Sequence, residues 1–141
     1  MQKYTSKTVA IQRQSEDIYN FFSDFSKFSQ LIPHDKIDDF RATADECSFT
    51  VKGIAMGLQI LNREPFSMIK YMGTGKVPFE FLFWVQIKQI APYDTRIRLV
   101  LHAKMNMIIK MMLKDKLQTA LDSIADKISA AFNGAVQYGE N

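Results

Sequence analysis

Apolar residues recur at three- and four-residue spacing through the C-terminal part of the chain, over residues 105–132. This spacing places them on one stripe of a helix, and no proline or glycine interrupts the segment. The stripe consists of Ile109, Leu113, Leu117, Ala120, Leu121, Ile124, Ile128 and Phe132. The pattern therefore predicts one long amphipathic helix, followed by a flexible tail over residues 133–141.

The N-terminal part of the chain has two different patterns. Residues 5–12 alternate between polar and apolar side chains, as a half-buried strand does. Ser15 then has the character of a helix N-cap, and Glu16 and Asp17 supply the negative charge that favours a first turn. A second short helix is expected over residues 26–30, before Pro33 ends the helical region.

The middle of the chain predicts strands separated by Gly, Pro and Asp. They cover residues 37–44, 46–52, 58–64, 66–74, 79–91 and 95–105. The predicted order is one strand, two short helices, six strands and one long helix. A chain of 141 residues with this order is expected to form a single α+β domain over residues 1–141.

Strand alternation also assigns faces, because successive side chains point to opposite sides of a sheet. The face expected to meet the long helix carries Phe79, Phe81, Phe83, Val85, Ile87, Ile97, Leu99, Leu101 and Ala103. Asn62 and Tyr71 are predicted on this same face, where buried polar groups need partners. Arg63, Trp84 and His102 are predicted on the opposite face.

Composition and charge narrow the possible functions. The chain contains 11 phenylalanines and 8 methionines, which suits an aromatic, adaptable interior. Its net charge of +3 is mild and its basic residues are scattered, so we expect no nucleic-acid partner and only weak attraction to an anionic surface. With a single cysteine, no secretory signal and no apolar stretch of spanning length, we expect a cytoplasmic protein without stable membrane insertion.

Candidate chemistry is sparse. His34 and His102 are expected on the surface and apart, and Cys47 is expected to be a small core residue. The sequence has no metal-ligand spacing, so we expect neither a metal nor another cofactor. The GTGK string at residues 73–76 lacks the remaining P-loop residues and is interpreted as a hairpin turn.

Several local strings resemble the START-like, or SRPBCC, superfamily. They are SEDIYNFFSDFSKFSQLIP at 15–33, VKGIAMGLQI at 51–60 and NREPF at 62–66, together with the terminal helix. The resemblance covers nearly the whole chain. It implies a helix-grip fold, in which a seven-stranded curved antiparallel sheet surrounds a long C-terminal helix and two short helices lie between strands 1 and 2. It also implies a cavity between sheet and helix that holds hydrophobic molecules.

Three functions remain open at this point. The first is binding of a small hydrophobic ligand, lipid or polyketide-like, with Asn62 and Tyr71 orienting its polar end. The second is an aromatase- or cyclase-like enzyme, in which Tyr71 would be the general acid. The third is a protein-interaction domain with a filled core. The expected lining residues are Phe81, Phe83, Leu99, Leu101, Leu113, Leu117 and Leu121.

Trp84 raises a question about assembly. A tryptophan on the outer face of a sheet needs a cover, and the predicted long helix is already committed to the inner face. The cover could be the C-terminal tail, Lys104 stacking across the strand pair, or a second copy of the chain. A homodimer is therefore one of the expected possibilities.

Overall fold

The computed structural model describes residues 1–30 and 35–139, with side chains described for 1–29 and 35–134. Pro33 and His34, which the sequence assigned to a loop, lie outside the described residues. The elements in chain order are β1 (Gln2–Thr5), β2 (Val9–Ile11), α1 (Ser15–Phe22), a 3-10 helix (Phe25–Gln30), β3 (Asp38–Ala42), β4 (Glu46–Val51), β5 (Ile54–Glu64), β6 (Met68–Gly75), β7 (Glu80–Ala91), β8 (Asp94–Lys104), α2 (Met107–Leu113) and α3 (Lys116–Gly139). The predicted α+β class is confirmed.

All strands belong to one antiparallel sheet. Its order is β1-β8-β7-β6-β5-β4-β3, so β3 to β8 form a meander in which each strand pairs with the next. β2 pairs with β8 beyond the end of β1, through Val9 opposite Ile97. The two N-terminal strands thus occupy one position in the sheet, which gives the seven positions predicted from the sequence.

Ser6 accounts for the interruption between β1 and β2. Its amide donates to the Leu99 carbonyl at 2.8 Å, and its hydroxyl accepts from the Leu99 amide at 2.8 Å. The side chain therefore takes over one hydrogen bond of the sheet where the backbone departs from it. Because Ser6 is buried, this pairing satisfies groups that water cannot reach.

The predicted long C-terminal helix is confirmed as α3, but its predicted continuous span over residues 105–132 is wrong, because the chain breaks between α2 and α3. Lys114, the C-cap of α2, has a φ of 37°, a positive value that residues other than glycine rarely adopt and that does not continue an α-helix. α2 has Asn106 as its N-cap, whose side chain accepts from the Ile109 amide at 2.9 Å. No proline or glycine lies at the break, so the sequence pattern did not indicate it.

α3 lies over β1, β2 and β8. Leu121 and Ala125 of α3 are buried against the sheet. Polar side chains of α3 form hydrogen bonds with the edge strands. Gln118 donates to the Thr5 carbonyl and Ser129 to the Ala10 carbonyl, both at 2.8 Å. Asn133 donates to the Ala10 carbonyl at 3.2 Å, and the helix continues to Gly139, past the point where the sequence predicted a tail.

Trp84 has a cover within the chain. It lies on the outer face as predicted, with the Lys70 ammonium 5.3 Å from its ring centroid and the His102 ring at 4.5 Å. The stacking partner is Lys70 of β6, not Lys104 as considered from the sequence. The outer tryptophan therefore gives no separate reason to expect a partner subunit.

Among the described residues, no helix combines the length and the apolar character that crossing a bilayer requires.

Candidate ligand site on the concave face of the sheet

One end of the concave face is closed. Ile69, Val85 and Leu99 are 0–1% exposed in neighbouring strands, and α1 packs over this part of β6 and β7. Ile18 and Phe22 of α1 complete the packing. This end is an ordinary hydrophobic core with no room for a ligand.

The other end is open. Here the side chains that point toward the interior are apolar and pack against the core, yet each is only partly buried. We call this set the open end; it consists of Phe40, Phe49, Leu58, Phe79, Phe81 and Phe83. Partly exposed aromatic side chains that converge on the concave side of a sheet are typical of a site for apolar molecules.

Gly73 shapes the open end. It lies opposite Leu58 in the β5–β6 ladder, and the Phe81 ring occupies the space above it. A Cβ at position 73 would overlap that ring. The glycine therefore allows Phe81 to lie close against β6, and a larger residue would push the ring toward the open end.

Apolar side chains of α3 pack against the same core cluster as the open end. Leu121 of α3 is buried and Leu117, one turn earlier, is half-buried. Next to them a groove of about 790 Å³ runs between β1 and α2. Tyr4 and Met105, which line the groove, also pack against the core, so core residues form one wall of the groove.

Tyr71 does not present a free hydroxyl to the concave face. It is 2% exposed, and its hydroxyl donates a hydrogen bond to the Phe22 carbonyl in the last turn of α1. Burial raises the pKa of this phenol strongly, which holds it in the neutral form. The sequence placed Tyr71 on the inner face correctly, and its partner is a backbone carbonyl.

The predicted inward orientation of Asn62 is wrong. The register between β5 and β6 shifts after Ile60, so that Ile60 lies opposite Tyr71 while Asn62 lies opposite Lys70. This bulge reverses the side-chain alternation. Asn62 is exposed on the outer face and lies away from the open end.

The same bulge turns Arg63 inward, against the prediction. Arg63 donates to the Ser23 carbonyl at the end of α1 at 2.8 Å and pairs with Asp45 at 2.7 Å. Ser23 is the C-cap of α1, so the guanidinium satisfies a carbonyl that the helix leaves free. The ion-pair partner of Arg63 is thus Asp45, which lies in the β3–β4 turn.

The structure separates the remaining predicted lining residues. Phe81 and Phe83 belong to the open end, and Leu117 of α3 is half-buried against the core. Leu99 is fully buried at the closed end, while Leu101 and Leu121 are 7% and 3% exposed. Leu113 is half-buried in α2, on the far side of the helix break. The expected lining omitted Phe40, Phe49, Leu58 and Phe79 of the open end and Tyr4 of the groove, although strand alternation places Phe49, Leu58 and Phe79 on the inner face.

Among the side chains that the structure describes, the reactive residue types do not converge. Cys47 is 7% exposed, as the sequence predicted for a core residue, and burial raises the pKa of its thiol. His102 lies on the outer face against Trp84. Within residues 1–30 and 35–139, no three His, Cys, Asp or Glu side chains are grouped to hold a metal ion.

Neither protein-family models nor curated proteins give a significant match to this sequence. Solved structures do. A START superfamily protein from Mycobacterium smegmatis superposes with a TM-score of 0.58 and 18% identity, over 89% of this chain and 98% of its own. The chain has a START-like, helix-grip fold.

Two further structures share the helix-grip fold. BexL, a di-domain ARO/CYC protein from the BE-7585A biosynthetic pathway, gives a TM-score of 0.70 at 10% identity. It is matched over 100% of this chain and 48% of its own, so the chain spans about half of BexL. The Aha1 dimer from Colwellia psychrerythraea gives 0.66 at 13% identity, over 94% of this chain and 97% of its own.

Proposed function

We propose that the protein binds a small hydrophobic molecule, lipid or polyketide-like, at the open end of the concave face. The observation that carries this proposal is the contrast between the two ends of one inner face. At one end α1 buries the sheet completely, whereas at the other the six apolar side chains of the open end remain partly exposed. Exposed apolar surface is unfavourable in water, and a bound apolar ligand would cover it.

The expected affinity is substantial without any specific polar contact. Burial of apolar surface contributes about 25 cal/mol per Å². A ligand that buries about 300 Å² would therefore gain roughly 7.5 kcal/mol before the costs of association and ordering. Because neither Asn62 nor Tyr71 offers a free polar group here, we expect selectivity for shape and apolarity and little for a polar head group.

The comparisons support the general class of function. A START superfamily protein and an ARO/CYC protein share the fold, which suits a ligand-binding or a cyclase role. The cyclase alternative would use Tyr71 as its general acid. The Tyr71 hydroxyl already donates a hydrogen bond to the Phe22 carbonyl, and the raised pKa of Tyr71 opposes release of its proton. The site therefore favours ligand binding over proton transfer.

Neighbouring residues of β7 provide a matched test. Phe83 points to the open end and Leu82 to the outer face, opposite His102. We expect palmitate carrying a fluorophore to bind the wild-type protein, and Phe83→Ala to weaken binding about tenfold through lost contact area. Leu82→Ala should leave the affinity unchanged in the same fluorescence titration.

The filled-core alternative makes the opposite prediction. In that case the labelled palmitate would not bind, and Phe83→Ala would only lower the free energy of unfolding. Equal loss of binding in Phe83→Ala and Leu82→Ala would also contradict the proposed site, because it would place the probe elsewhere on the protein.

A further inference from the structure

The face of α2 that points away from the protein is apolar. Met107, Ile108, Met111 and Met112 are 77%, 71%, 62% and 66% exposed. At 100° per residue, these four side chains are neighbours on one side of the helix. No residue of α2 is buried, so the helix itself adds little to the core.

The apolar face of α2 has a basic border. Residues 104–116 contain four lysines and one aspartate, a net charge of +3 that equals the net charge of the whole chain. The lysines are Lys104, Lys110, Lys114 and Lys116, and all are exposed. Exposed apolar side chains bordered by lysines are typical of helices that lie in the interface of an anionic membrane.

We propose that α2 docks the protein reversibly onto an anionic lipid surface. Met107, Ile108, Met111 and Met112 would enter the boundary between head groups and acyl chains, and the four lysines would contact the head groups. With seven residues, α2 is about 10 Å long, which suits a position in the plane of the membrane and is far too short to span it.

The charge argues against a second copy of the chain as the occupant of this face. A two-fold symmetric contact through α2 would place the same lysine-bordered patch on both sides. Two surfaces of +3 would then face each other, and like charges at close range disfavour association. An anionic lipid surface complements the same patch.

Docking through α2 would place the groove between β1 and α2 at the membrane. Met107 and Met111 also line the groove between β1 and α2, whose Tyr4 and Met105 pack against the core. A docked α2 would bring this groove to the lipid surface, so that an apolar molecule leaving the membrane would meet the core residues Tyr4 and Met105 first. This step rests on the proposed function, whereas docking itself does not.

Vesicle flotation of the full chain tests the docking. We expect the protein to float with phosphatidylcholine vesicles that contain roughly 30% phosphatidylserine, and to float poorly with phosphatidylcholine alone. The double variant Met107→Ser/Met111→Ser should bind at least about fivefold more weakly. The matched control is Ile54→Ser/Ile90→Ser, which changes two apolar residues of similar type that are 46% and 52% exposed away from α2, and it should bind as the wild type does.

A second variant tests how much the lysines contribute to vesicle binding. Lys110→Glu/Lys114→Glu should lower binding to anionic vesicles about tenfold or more, and added salt should weaken wild-type binding. Thermal unfolding of each variant establishes that it is folded. Met107, Lys110 and Met111 of α2 and its C-cap Lys114 are all exposed.

Three results would overturn docking. The first is no flotation of the wild type with anionic vesicles, and the second is an equal loss in the Ile54→Ser/Ile90→Ser control. The third is a wild-type dimer in sedimentation equilibrium that Met107→Ser/Met111→Ser abolishes while no vesicle binding occurs. Palmitate titration without vesicles is a separate measurement, so failure of docking is distinguishable from failure of the ligand site.

Discussion

Tyr71 links β6 to the end of α1. Its ring is buried between Phe25, at a centroid distance of 5.4 Å, and Phe83, at 5.9 Å, and its hydroxyl donates to the Phe22 carbonyl. A buried hydroxyl and a buried carbonyl that satisfy each other contribute to stability and avoid the cost of unpaired groups. We therefore assign Tyr71 a structural role beside the open end.

Tyr71→Phe should lower the free energy of unfolding by about 1–2 kcal/mol at pH 7, because it removes the hydroxyl and leaves the Phe22 carbonyl without this donor. Urea denaturation measures the change. Tyr93→Phe, at a side chain that is 66% exposed, is the control and should leave stability unchanged. A loss equal in both variants would contradict the structural role of Tyr71.

The same variant predicts a pH dependence. The pKa of Tyr71 is raised in the folded protein, so above about pH 10 the unfolded chain loses this proton while the folded protein keeps it. The contribution of Tyr71 to stability is therefore complete below pH 10 and declines as the pH rises further. The stability difference between wild type and Tyr71→Phe should shrink between pH 9 and pH 11; a constant difference would refute the linkage.

Sequence reasoning at single residues succeeded where alternation was regular. It placed Tyr71, Phe81, Phe83, Cys47 and Trp84 on the correct faces. It failed for Asn62 and Arg63 because the bulge after Ile60 inserts one residue and exchanges the two faces. No residue in this part of β5 signals a bulge, so the error could not be avoided from one sequence.

At the scale of elements, Arg63 connects three parts of the fold. Its guanidinium donates to the Ser23 carbonyl through both Nε and Nη2, at 3.1 and 2.8 Å, and pairs with Asp45. It thereby holds the end of α1 and the β3–β4 turn against β5. Because it neutralises the negative end of the helix dipole, the contact is also electrostatically favourable.

Arg63→Ala should lower the free energy of unfolding by about 1–3 kcal/mol, because the Ser23 carbonyl loses a charged donor. Asp45→Ala should cost less than about 1 kcal/mol, since the Asp45 side chain is 73% exposed and its ion pair is screened. Arg41→Ala, at an exposed arginine of β3, is the control. If Asp45→Ala cost as much as Arg63→Ala in urea denaturation, the ion pair and not the helix end would be the important contact.

Most elements were predictable, and the exceptions have local causes. The strands and the short helices follow from alternation and capping signals, although the N-cap of α1 is Gln14 where Ser15 was expected. The break after Leu113 depends on the positive φ of Lys114, a residue that carries no preference for it. Tertiary packing of α3 on β1, β2 and β8 therefore determines where the last helix begins.

At the scale of the whole molecule, the helices cover the sheet unevenly. α3 lies on the β1, β2 and β8 side, α1 closes one end of the remaining inner face, and the open end stays partly exposed. The sequence predicted a concave apolar face and its helix. It could not predict which half of that face is closed, because the apolar pattern is the same at both ends and only the position of α1 distinguishes them.

The central claim is that the open end holds an apolar molecule. Native mass spectrometry of the protein purified from cells, followed by solvent extraction, tests it most directly. We predict an apolar adduct near one molecule per chain, which Phe83→Ala reduces and Leu82→Ala retains. A protein that carries no adduct, and whose thermal unfolding is unchanged by fatty acids of every chain length tried, would contradict the claim and favour the filled-core interaction domain.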